Sequence, residues 1–130
     1  ELEKAAREEI DHLVWCEERI NELGGKTSLL NPLFYFGSFV VGSMASIVDD
    51  KYNLGFLSET EKQVSAHLES HLNEMNQEDK KTLSIIETMK KTEELHQASA
   101  INLGSKQLPK IIQTIMKKTA NLLTTTTFHI

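Results

Sequence analysis

The chain is short of the residues that build disulfide frameworks, strands and hydrolytic sites. Cys16 is its single cysteine, so no internal disulfide can form. On an apolar stripe, that thiol reads as a small buried hydrophobe of a reducing compartment, with a reactive thiol as the alternative. No run alternates apolar and polar residues as a half-buried strand does, and no repeat or low-complexity tract is present. The Gly-rich phosphate loop, the Gly-x-Ser-x-Gly elbow and the His-Glu-x-x-His zinc motif are all missing, which removes the usual nucleotide-binding, serine-hydrolase and zinc-protease readings. Acidic residues stop at Glu94, whereas Lys106, Lys110, Lys117 and Lys118 follow it. A net charge of −5 argues against a nucleic-acid partner, while the basic end suits an anionic lipid surface. No secretory signal is visible, and the chain opens without Met, inside a helical pattern at Glu1, Leu2 and Glu3. Further elements are therefore expected upstream.

What remains is helical periodicity. With 130 residues, the chain is read as one domain over 1–130 with a single core. A first helix is expected over residues 1–23, closed by Gly24 and Gly25. Residues 27–48 then run 22 positions without a charge. The helical part, residues 33–48, would measure about 24 Å, short of the roughly 30 Å hydrocarbon core. Gly37, Ser38, Gly42, Ser43 and Ser46 add a small, mildly polar face. A bundle helix with one exposed apolar side and a true membrane span both stay open. Residues 49–53 read as a polar turn, 55–75 as a third helix and 78–103 as a fourth that stops at Gly104. Pro109 opens a fifth, amphipathic helix with Leu108, Ile111, Ile112, Ile115, Met116, Leu122 and Leu123 on one face. That helix either caps the bundle or lies in a membrane interface. Residues 124–127, all threonine, offer no motif.

Two Glu-x-x-His steps, Glu9 with His12 and Glu93 with His96, fall on these helices. Fifteen Glu and five His among 130 residues would give about 0.6 such pairs by chance, so spacing alone decides little. The face decides more. From Glu9, helical steps lead to Leu13, Cys16, Ile20 and Leu23, and Glu93 and His96 interrupt the stripe Leu83, Ile86, Met89, Ala100, Leu103. Glu61 lies on a third stripe with Leu57, Val64, Leu68, Leu72 and Met75. Unpaired carboxylates buried there cost several kcal/mol each or protonate, whereas a divalent cation removes the penalty. Three residues apart, a Glu and a His share one helix face and reach one ion, and two such helices can hold two ions. Mixed carboxylate and imidazole donors suit iron or manganese, and iron with open positions implies oxygen chemistry in apolar surroundings that admit a greasy substrate. His67 and His71, an i,i+4 pair, read either as surface or outer residues or as ligands or proton carriers.

The run Glu8-Glu9-Ile10-Asp11-His12-Leu13, then Leu30-Asn31-Pro32-Leu33, Leu54-Gly55-Phe56, Thr60-Glu61-Lys62-Gln63-Val64 with His67 and His71, and Glu93-Glu94-Leu95-His96 resembles the bacterial demethoxyubiquinone hydroxylase family over essentially the whole chain. The resemblance implies an all-α, ferritin-like bundle with an additional amphipathic C-terminal helix. It also implies a peripheral location on the cytoplasmic face of the inner membrane. The implied reaction is that of a 3-demethoxyubiquinol 3-hydroxylase type monooxygenase. A di-iron centre of two iron ions hydroxylates the ring of a prenylated demethoxy-quinone, using dioxygen and electrons from NADH. Residue by residue, Glu9 and Glu93 match the family's bridging carboxylates, His12 and His96 its imidazole ligands, and Glu61 its terminal carboxylate. The family's remaining carboxylate belongs to a helix preceding the one that opens this sequence, and it has no counterpart here. By analogy, other ubiquinone-biosynthesis proteins are expected as partners, one of them membrane-embedded, though no residue identifies it. Two alternatives stand beside this reading: a ferritin-like or rubrerythrin-like iron-binding bundle without quinone chemistry, and a homologue that keeps the fold but holds no metal.

Overall fold

A computed structural model describes residues 2–45 and 47–130, without the side chains of residues 2, 35, 38, 39, 41–43 and 45. Five helices follow one another: α1 Leu2–Glu22, α2 Asn31–Ala45, α3 Asp50–Glu74, α4 Lys80–Asn102 and α5 Lys110–His129. No strand occurs among the described residues.

Helix ends follow local chemistry. At the end of α1, Gly24 adopts φ 75° while Gly25 N–H donates to the Ile20 carbonyl and Gly24 N–H to Asn21. The same closure ends α4, where Gly104 has φ 94° and Ser105 and Gly104 donate to Ala100 and Ile101. Only glycine takes that left-handed backbone without strain. Asp49 caps α3 by accepting from Lys51 N–H, and Asp79 caps α4 by accepting from Thr82 N–H. The polar turn expected at residues 49–53 is therefore mostly helix, because Asp49 acts as a cap and the chain is helical from Asp50. The threonine run is helical as well: Thr124, Thr126 and Thr127 each return their hydroxyl to the carbonyl four residues back.

α3 and α4 pack along their length, with α1 lying on α4 and α5 touching α3. α1 and α4 are antiparallel, as successive cross-contacts show: Arg19 with Thr82, Cys16 with Met89, His12 with Glu93, and Glu9 with His96. The far end is latched by Arg19, whose guanidinium donates to Thr82 Oγ1, Asp79 Oδ1 and Glu22 Oε2, each at 2.8 Å. α3 runs antiparallel to α4 too, with Glu69 on Lys90 and Glu61 on Glu93. The link from α4 to α5 crosses the start of α3, where Lys106 N–H donates to the Lys51 carbonyl. Gly55 lies beneath it, and a side chain there would collide with the Lys106 carbonyl.

The interior is unusual in composition. Among the described residues, the buried apolar side chains are Leu68, Ala100 and Leu108, whereas His12, Glu61, Ser65, Glu93 and His96 are buried beside them. The apolar stripe expected on α1 is narrower than its periodicity suggests, since Leu13 and Leu23 are exposed and Cys16 and Ile20 half-buried. α1 packs mainly on α4 and only lightly, so one row of its residues faces inward and the flanking rows do not. Glu9 is affected in the same way: its side chain is 49% exposed, not buried as expected. Leu103, the C-cap of α4, is exposed too.

α2 makes no extended packing with another helix among the described residues, and it leaves Leu33, Phe36 and Met44 exposed. Its 15 residues span about 22 Å, and no described helix is long and apolar enough to cross a membrane. The small-residue face read from the sequence rests largely on Ser46 and on the side chains of Ser38, Gly42 and Ser43, which lie outside the described residues, as does Glu1. On α5, Ile111, Ile112, Ile115, Leu122 and Leu123 are exposed along one apolar face.

Candidate metal centre

Antiparallel pairing of α1 with α4 sets the two Glu-x-x-His steps head to tail. Each histidine therefore meets the other helix's glutamate. His12 Nδ1 lies 3.1 Å from Glu93 Oε1, and His96 Nδ1 lies 3.3 Å from Glu9 Oε1. Within each helix the i,i+3 partner is slightly farther, His12 Nδ1 to Glu9 Oε2 at 3.7 Å and His96 Nδ1 to Glu93 Oε2 at 3.6 Å. From α3, Glu61 reaches the same point and shares a hydrogen bond with Glu93. One ligand atom from each of Glu9, Glu61, Glu93 and His96 falls within 4.8 Å of every other. His12 is not one of those four but stands beside them, its Nδ1 against Glu93 and Glu9, so the five residues singled out in the sequence lie near one another.

The electrostatics of this cluster are unfavourable without a cation. Three carboxylates meet where only Glu9 keeps substantial solvent contact. Burial, the hydrogen bond to Glu61 and the charges of Glu61 and Glu9 push the Glu93 carboxyl up to about 8, against the opposing pull of His12. Glu61 is raised as well, by burial and by the Glu9 charge, while its hydrogen bond to Glu93 pulls the other way. The two carboxyls thus share a proton near neutrality.

The residues fit a metal ion on a separate ground. His12 Nδ1, His96 Nδ1 and Glu93 Oε2 are buried and make no hydrogen bond, although each nitrogen lies within about 4 Å of carboxylate oxygens. Orphaned buried polar atoms cost about 1–3 kcal/mol apiece, so three pointing at one place need a common partner. Four donor atoms within 4.8 Å of one another stand close enough to share one cation after small side-chain shifts. Carboxylates with imidazoles favour iron or manganese over calcium, which prefers oxygen throughout.

Two residues near the centre had drawn no role from the sequence. Glu8 Oε2 accepts from His96 Nε2 at 2.7 Å, and that bond holds the Glu8 carboxyl below the usual range. Its position beside Glu9 gave no signal, because adjacent residues on a helix point about 100° apart. Ser65, one turn beyond Glu61, is buried with its hydroxyl unpartnered. His67 and His71 meet each other instead, with Nε2 atoms 3.0 Å apart on the exposed side of α3.

Residues 1–127 match the family described as "Ubiquinone biosynthesis protein COQ7". Among curated relatives, the 3-demethoxyubiquinol 3-hydroxylase of Legionella pneumophila strain Corby is 46% identical over 130 residues, covering 100% of this chain and 61% of the relative. The protein of the same name from Polynucleobacter necessarius is 47% identical over 129 residues, with 99% and 62% covered. That from Azoarcus sp. strain BH72 is 45% identical over 130 residues, with 100% and 63% covered. The chain thus spans somewhat under two thirds of the length of these relatives. No solved structure matches it significantly. By the extent of the family match and by the identity to these relatives, the chain belongs to the COQ7 family of ubiquinone biosynthesis proteins, whose ferritin-like helical bundle agrees with the five helices described here.

Proposed function

We propose that this chain carries the di-iron centre of a monooxygenase that hydroxylates the ring of a demethoxyubiquinol intermediate, using dioxygen and electrons derived from NADH. The observation that carries the reading is the convergence of His12 Nδ1, His96 Nδ1 and Glu93 Oε2, buried and unpartnered, on one acidic cluster. Relatives bearing the hydroxylase name supply the substrate class.

Glu9, His12, Glu61, Glu93 and His96 are the residues that would hold the iron. Bound there, iron supplies the redox chemistry that activates dioxygen. The protein's own part is electrostatic. The proton held between Glu61 and Glu93 leaves when a cation enters, so metal uptake strengthens as pH rises towards 8. His12, Glu61, Glu93 and His96 are buried, while the exposed flank at Glu9 leaves a way in.

Membrane association belongs to the same proposal. The exposed apolar faces of α2 and α5, with the four lysines that follow Glu94, suit the surface of an anionic bilayer from which a prenylated quinone is drawn. The proposed location in a bacterial cell is peripheral, on the cytoplasmic face of the inner membrane, and these exposed faces support a surface-bound position. A soluble iron-handling bundle has no use for such faces, which favours the quinone reading over that alternative.

Iron analysis of the purified protein and oxygen-dependent hydroxylation of a demethoxyubiquinol test the proposal together. Iron near two per chain with turnover is the expected result. Protein that takes up no iron under reducing conditions overturns it.

A further inference from the structure

An imidazole that binds a metal through one nitrogen needs its other nitrogen held, since the partner there selects the tautomer and aims the ring. In this protein one histidine of the cluster has such a partner. His96 Nε2 lies 2.7 Å from Glu8 Oε2, and because a carboxylate only accepts, the ring nitrogen donates. The other edge of the ring presents Nδ1, which lies 3.3 Å from Glu9 Oε1 and 3.6 Å from Glu93 Oε2 and makes no hydrogen bond.

We propose that Glu8 is a positioning residue, whose carboxylate takes the Nε2–H of His96 and leaves Nδ1 as the nitrogen offered to the metal. The inference rests on the metal-centre reading above. Glu8 does not compete as a ligand to the same ion, because it sits at the opposite edge of the imidazole from Nδ1. Its place on α1, next to Glu9, lets consecutive residues of one helix serve the two sides of one ring on another. Lys4, one turn earlier and 3.6 Å from Glu8 Oε1, steadies the second oxygen of the carboxylate.

Three proteins test this: the wild type, Glu8→Ala and Glu8→Gln, each stripped with chelator and titrated with Co(II) at one pH, with affinity read from the ligand-field absorption. Glu8→Ala should bind about 10- to 100-fold more weakly, as loss of such a partner usually costs. Glu8→Gln keeps an acceptor oxygen and should recover most of that loss. In the Zn(II)-loaded wild type, 15N NMR of the His96 ring should show a protonated Nε2 and a ligated Nδ1, independently of how either variant folds. Undiminished binding by Glu8→Ala, an equal loss in both variants, or ligation through Nε2 would each overturn the role of Glu8 while leaving the metal centre intact. A wild type that takes up no Co(II) overturns the metal centre, and this inference with it.

Discussion

Replacing Glu93 by Gln should stabilise the metal-free protein while weakening its hold on metal. Glu93 is almost wholly buried, and its carboxyl is pushed from an ordinary 4.5 to about 8. A group that is harder to ionise in the folded state than in the unfolded one supports folding in acid and loses that support as pH rises between the two values, here from about 4.5 to about 8. At about 1.4 kcal/mol per pH unit, the loss from this carboxyl reaches about 3 kcal/mol at pH 7 and about 5 kcal/mol above pH 8. Whole domains are stable by only about 5–15 kcal/mol, so the effect is large. Gln does not ionise, and its amide can still donate to Glu61. Urea unfolding of the chelator-treated proteins, followed by circular dichroism from pH 5 to pH 9, should show the variant's advantage growing from under about 1 kcal/mol at pH 5 to about 3 kcal/mol at pH 7. With Co(II) or Fe(II) present the order should reverse, because the cation stabilises the wild-type cluster. A gap that does not change with pH, or a variant less stable at pH 8 without metal, would refute the reasoning.

Gly55→Ala places a methyl group against the Lys106 carbonyl and forces the α4–α5 link off α3; a loss of about 1–3 kcal/mol in stability should appear as a lower thermal midpoint. Arg19→Ala removes the guanidinium that ties α1 to the α4 cap at Asp79 and Thr82, so amide hydrogen exchange should quicken along α1 and not within the α3–α4 pair. Removing the charges of Lys110, Lys117 and Lys118 should weaken binding to vesicles containing anionic lipid by about fivefold per lysine, with little change for neutral vesicles.

Much of the architecture was legible in the residue pattern because its signals are local. The breaks at Gly24 and Gly104 are left-handed closures that few other residues accept, and both Glu-x-x-His steps stand out on apolar stripes. Periodicity assigns a face to a residue without saying how much of that face another helix will cover. Leu13, Leu23 and Glu9 share the expected α1 face yet remain exposed, since α1 packs only lightly, chiefly on α4. Asp49 and Asp50 resemble a turn because an N-cap and a turn use the same residue types. Glu8 was invisible for a different reason: its partner His96 is 88 residues away, and only the antiparallel register of α1 on α4 brings the two together. That register also decides that each histidine faces the other helix's glutamate, which spacing within one helix cannot reveal.

The central claim is that side chains of α1, α3 and α4 enclose metal. Crystals of the protein grown with ferrous iron, measured on both sides of the iron absorption edge, test it most directly. Anomalous peaks are expected within bonding distance of Glu9, His12, Glu61, Glu93 and His96, with Nδ1 facing the peak in both histidines. Iron-replete crystals without signal at that place, or with the five side chains turned apart, would contradict it.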